Sequence, residues 1–216
     1  MGHASYITIP DAQANLEPSA RTIGLRLVTV GSVLLIGVAA TAVLTGGADS
    51  GASITGLLRS YLVSASFFLS ITVGALFFVL ISHLTRAGWS VSVRRVAESI
   101  ALLLPIVALL FIPIVVGAWF GLLYPWAGDV DPHSVTAKKL AYLNLPFFTA
   151  RVIVYFVILS FLAWYMYARS TKQDVTADYR LTQRLEAFSA PGMFVFALVL
   201  TGLSMDILMT LEPEWF

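Results

Sequence analysis

Five apolar runs, each about 20 residues or longer, take up most of this 216-residue chain. At a rise of about 1.5 Å per residue, any one of them can cross a hydrocarbon layer about 30 Å thick. Unpaired backbone amides and carbonyls are too costly in lipid, so each run must close its hydrogen bonds within itself. The expected fold class is all-α: a polytopic transmembrane helix bundle of about five spans. The spans are read at residues 23–45, 57–84, 99–124, 146–168 and 187–211, after a polar tail over 1–22. Composition agrees, with 12% charged residues and a mean hydropathy of +0.86, against about 25% charged in soluble domains.

The same composition narrows the chemistry. There is no cysteine, which excludes disulfides, thiolate zinc sites and iron–sulfur ligation within the chain. A net charge of +1 provides no basic patch for nucleic acid. The first 20 residues lack the charged-then-apolar pattern of a signal peptide.

Lys and Arg set the expected orientation. Arg21, Arg26, Arg86, Arg94, Arg95, Arg169, Lys172, Arg180 and Arg184 fall on one side, and Arg59, Lys138 and Lys139 on the other. Nine against three predicts a cytoplasmic N terminus and an outer C terminus. The third span carries Pro105 and Pro113, each of which removes a backbone hydrogen bond and invites a kink. Between the fourth and fifth spans, Val175, Tyr179, Leu181, Leu185 and Phe188 alternate with charges. That pattern suits a short amphipathic surface helix or a solvated connector equally.

Ionisable side chains inside a span are costly, so each is a candidate for function. Arg151 and Asp206 each lie about five residues from the outer end of their spans, about 8 Å deep. They are candidates for an intramembrane ion pair or for a proton path. At the other boundary, His83 closes the second span and Glu98 opens the third. Glu98 can pair with Arg94 or Arg95 or reach His83, as an interfacial network or a proton entry. No two histidines share a depth suited to a bis-histidine haem, and every lysine lies in a loop, which excludes a retinal Schiff base. No Walker loop, HExxH motif or Ser/His/Asp constellation is present. No catalytic or metal-ligating residues are assigned.

Local strings add a family resemblance. The stretches SITVGALFFVLISHLTRAGWSVSVRRVAE (70–98), LLPIVALLFIPIVVG (103–117), KKLAYLNLPFFTARVIVYF (138–156), QDVTADYRLTQRLEAFSAPG (173–192) and SMDILMTLEPEWF (204–216) resemble one family in combination. It is the second large membrane subunit (ActF type) of bacterial alternative complex III, a quinol:electron-acceptor oxidoreductase. That subunit is related to the polysulfide-reductase-type (NrfD-like) membrane anchors.

The resemblance implies an accessory scaffold subunit of the bacterial inner membrane with a candidate proton-conducting role and no redox centre of its own. Its implied partners are a sister quinol-oxidising membrane subunit, an iron–sulfur subunit and haem-c subunits, which hold the cofactors. A quinone remains a candidate ligand, since an apolar pocket with one His or Asp donor suffices to hold one. Family members are about twice as long, so the sequence is expected to be an N-terminal half, with 212–216 beginning the second. The alternative is a stand-alone small transporter or channel, which would need repeats around a midplane site.

Overall fold

The computed structural model describes residues 17–45, 50–128, 130–176 and 179–215. The described residues are all-helical, with no strand. The chain divides into two compact units, residues 1–54 and 55–216.

In the first unit, α1 (Glu17–Thr45) is a single 29-residue helix. It covers the first expected span and begins inside the expected polar tail, whose first 16 residues lie outside the described ones. The Thr29 and Ser32 hydroxyls donate back to the carbonyls of Arg26 and Val28. Neither polar group is thereby left bare on an apolar helix.

The second unit holds the four remaining spans. Helical segments over residues 54–84, 93–119, 145–174 and 180–211 are long and apolar enough to cross a membrane. The first belongs to α2 (Ser50–Leu84) and the second is made of three short helices: α3 (Val91–Ala101), α4 (Leu104–Leu110) and α5 (Ile112–Trp119). A short α6 (Val135–Lys139) follows, then the long helices α7 (Leu145–Thr176) and α8 (Tyr179–Ile207).

Side-chain contacts join these spans into a ring. Tyr61 and Leu58 carry α2 onto the third span, whose α3–α5 pack on α7, and α7 packs along α8. The ring closes where Leu80 of α2 meets Gly192, and Phe77 meets Phe196, on α8. Leu76, Leu104, Phe148, Leu159 and Leu203 fill the interior.

The two prolines break the third span where they were expected to kink it. Each sits in the first turn of its segment, α4 or α5, because proline fits there without a missing hydrogen bond. The break frees the Leu110 carbonyl, and Tyr61 of α2 donates its hydroxyl to it at 2.8 Å. Past the end of α5, Thr55 does the same for the Leu122 carbonyl at 2.8 Å. One helix thus supplies the donors that its broken neighbour has lost.

Both ends of this helix pair close with the same motif. After α5, Gly121 adopts φ +65°, and the amides of Gly121 and Leu122 bond back to Ala118 and Gly117. After α2, Arg86 takes the left-handed place at φ 52°, with Arg86 and Ala87 bonding back to His83 and Ser82. These are Schellman caps, usually built on glycine. At Arg86 the residue costs about 1 kcal/mol.

One expected element takes another form. The stretch read as a surface helix or connector, 171–188, is an extension of the two spans. α7 runs on to Thr176 and α8 starts at Tyr179. The segment has no helix breaker before Pro191, and Leu181, Leu185 and Phe188 fall at helical spacing. Leu181 and Leu185 are buried, and Phe188 packs on Tyr165 with ring centroids 4.1 Å apart. That stripe faces the bundle rather than a lipid surface, because four-residue and three-residue steps put it on one side of the helix.

Candidate functional site

Two charged clusters lie at opposite ends of the second unit. At the Asp206 end, the start of α7 is fixed first. The Asn144 side chain accepts from the Phe147 amide at 3.0 Å, and Pro146 occupies the first turn, a standard helix start. This places Arg151 two turns in, facing α8. Its Nε and Nη2 donate to the two oxygens of Asp206 at 2.7 and 2.8 Å, a bidentate pair. Its Nη1 donates to the Tyr142 carbonyl at 3.1 Å. The guanidinium lies 3.8 Å from the centroid of the Tyr142 ring and 4.3 Å from that of Phe147. Such stacking favours arginine over lysine.

Asp206 has no exposed surface, so every interaction with its carboxylate comes from the protein. Besides Arg151, the Tyr142 hydroxyl donates to Oδ1 at 3.0 Å, and the Tyr155 hydroxyl bonds to the same carboxylate. Tyr155 follows Arg151 by four residues, hence shares its face of α7. It reaches α8 across Gly202: a Cβ there would stand 2.7 Å from the Tyr155 Oη. Burial, and next the hydrogen bond to Asp206, push the Tyr142 phenol above its usual value, so it remains a donor at neutral pH. Nearby, Tyr124 donates to the Ile207 carbonyl at 3.0 Å and Thr210 to that of Asp206. Lys139 Nζ reaches the Pro213 carbonyl at 2.7 Å.

The His83 end is built differently. Glu98 is 2% exposed and takes its ion pairs from its own helix: Arg95 Nη1 donates to Oε2 at 2.9 Å, while Arg94 Nε stands 3.6 Å from Oε1. The buried Ser170 hydroxyl of α7 bonds to the same carboxylate. The second hand of Arg95 grips Asp174 of α7, whose side chain is 63% exposed. His83 is buried and bonds through Nδ1 to the Val79 carbonyl of its own helix at 2.9 Å. Its nearest charges are Arg94 and Glu186, and Glu186 in turn pairs with Arg86 at 3.0 Å. The structure therefore joins Arg151 to Asp206, and gives Glu98 to Arg94 and Arg95.

Sequence reading missed Tyr142, Tyr155, Ser170 and Asp174. For Tyr155 the signal was present, because it stands four residues beyond a buried arginine. Asp174 carried no local signal, since its partner Arg95 lies 79 residues away.

Two larger apolar grooves run along the bundle: about 580 Å³ between α2 and α8, and about 530 Å³ between the broken span and α7. Serine and threonine are their only polar lining residues, so His83 and Asp206 face neither. Among the described residues, no group of three His, Asp or Glu side chains is placed to hold a metal ion.

These features define a multi-pass helical membrane protein with paired charges buried near both ends of its bundle. Neither protein-family models nor curated proteins give a match to this chain.

Proposed function

We propose that the chain is an integral subunit of a bacterial respiratory quinol:electron-acceptor oxidoreductase of the alternative complex III type. In this reading it is a scaffold in the inner membrane, with its N terminus in the cytoplasm. Quinol oxidation and the haem c and iron–sulfur centres belong to partner subunits. One observation carries the proposal: the strings that bear the family resemblance also supply both charged clusters. The stretch 138–156 contributes Tyr142, Arg151 and Tyr155, and 204–216 contributes Asp206 and Thr210. The stretch 70–98 contributes His83, Arg94, Arg95 and Glu98.

The geometry favours a structural task for the Asp206 cluster. Its carboxylate, held by a bidentate arginine and two phenols, ties α8 to the start of α7 and to the segment before it. The test is purification of the protein from its native membrane in mild detergent, with identification of what accompanies it. The expected result is recovery with haem-c and iron–sulfur proteins and a haem-c absorption spectrum. A lone, colourless, folded protein would overturn the proposal and favour the transporter alternative.

A further inference from the structure

The two clusters differ in how completely the protein satisfies them. At the Asp206 end, both carboxylate oxygens have donors and Arg151 has acceptors for Nε, Nη1 and Nη2. At the His83 end, Glu98 Oε1 is buried and has no hydrogen-bond donor among the protein groups around it. Arg94 Nε, at 3.6 Å, is beyond hydrogen-bond range, and the Ser170 hydroxyl that bonds to the carboxylate leaves Oε1 without a donor in hydrogen-bond geometry. A buried carboxylate oxygen left this way is strongly unfavourable.

Beside it lies a cleft of about 160 Å³, lined by Arg94, Arg95, Glu98, Ser170 and Asp174. An ordered water needs a polar site and about 10–15 Å³ of such space, and this cleft meets both conditions several times over. The two apolar grooves have the space but not the polarity, for their walls are hydrocarbon apart from a few hydroxyls. Across the cleft runs Arg95, with one hand on the buried Glu98 and the other on the exposed Asp174. Bulk water reaches Asp174, and Arg95 stands between it and Glu98.

We propose that this cleft is a water-filled vestibule, in which a water donates to Glu98 Oε1 and the Arg95–Asp174 pair acts as its lid. The ligand class is water or another small neutral hydrogen-bond donor. The charges lining the cleft cancel, two arginines against two carboxylates, so it selects neither anions nor cations. Loss of the Asp174 carboxylate frees the outer hand of Arg95 and opens the mouth. The inference does not depend on which complex the chain joins.

The chain has no cysteine, so single cysteines can be read in native membranes without further changes. Ser170→Cys places a thiol on the cleft wall, Asp174→Cys at its mouth, and Ser189→Cys at a fully buried site on α8. A small water-borne thiol reagent should label Asp174→Cys fastest and Ser170→Cys several-fold faster than Ser189→Cys. Adding Asp174→Asn should raise the Ser170→Cys rate several-fold again. Radiolytic footprinting of the unsubstituted protein, which oxidises side chains beside bound water, reads the same cleft independently. It should mark Glu98 and leave the equally buried Asp206 at background. Ser170→Cys as inert as Ser189→Cys, with Glu98 no more oxidised than Asp206, would overturn the proposal.

Discussion

The Asp206 and Glu98 carboxylates are both buried at span ends and both faced by arginine, yet they behave as opposites. Asp206 draws its partners from three places: Arg151 and Tyr155 on α7, and Tyr142 in the segment before it. Its interactions therefore hold separate elements together. Glu98 draws its two arginines from its own helix, one turn away, and its link to α7 runs through the Ser170 hydroxyl and the outer hand of Arg95 alone. The lesson concerns connectivity. A buried charge staples a bundle only when its partners come from other elements and fill all its oxygens.

The sharpest way to break this contrast is to unpair Asp206. Arg151→Ala leaves a buried carboxylate without its counter-charge and should destabilise the protein by about 3 kcal/mol or more, measured as thermal unfolding in detergent. Glu98→Gln should cost far less. Replacing Arg151 and Asp206 together by leucine removes the charges in pairs, so it should recover most of the loss. Equal losses at the two carboxylates would erase the distinction drawn above.

A subtler perturbation acts through shape. Gly202→Ala drives a methyl into the Tyr155 ring, whose hydroxyl is held by Asp206, and should cost about 2 kcal/mol. Because the ring cannot retreat without losing that bond, Gly202→Ala combined with Tyr155→Phe should be less than additive. Additive losses in a double-mutant cycle would mean that the close approach and the hydrogen bond are independent.

Tyr142→Phe removes one donor to Asp206 and should cost about 1 kcal/mol. Its pH dependence follows from the raised phenol value. A group whose folded value is raised contributes stability that is fully present below its unfolded value, near 10 for tyrosine, and lost as pH rises through the folded one. The gap between native protein and Tyr142→Phe should thus be flat from about pH 6 to 9 and shrink only above about 10. A gap that closes near neutrality would contradict it.

The smallest effect is expected at the lid. Asp174→Asn breaks a solvent-exposed pair and should change stability by less than about 1 kcal/mol, though it opens the cleft. A large loss there would make the His83 end a staple as well.

Much of the architecture was legible in the chain because its causes are local. Apolar run length gives the spans, and Pro105 and Pro113 mark the breaks in the third. A common distance from the outer span ends brought Arg151 and Asp206 to the same height. The surface-helix reading of 171–188 went astray for an equally physical reason. Charges beside apolar residues look interfacial, but here they are accommodated by pairing across helices, as Arg95 with Asp174 and Arg86 with Glu186.

The sequence by itself determined that this chain crosses a membrane as helices and which ionisable groups must find partners there. Hydropathy and backbone hydrogen bonding act residue by residue, without reference to neighbours in space. Only the tertiary structure decided which carboxylate is saturated and which keeps an open oxygen. Donors arrive from helices dozens of residues apart, and their number depends on how closely small residues such as Gly202 let those helices approach.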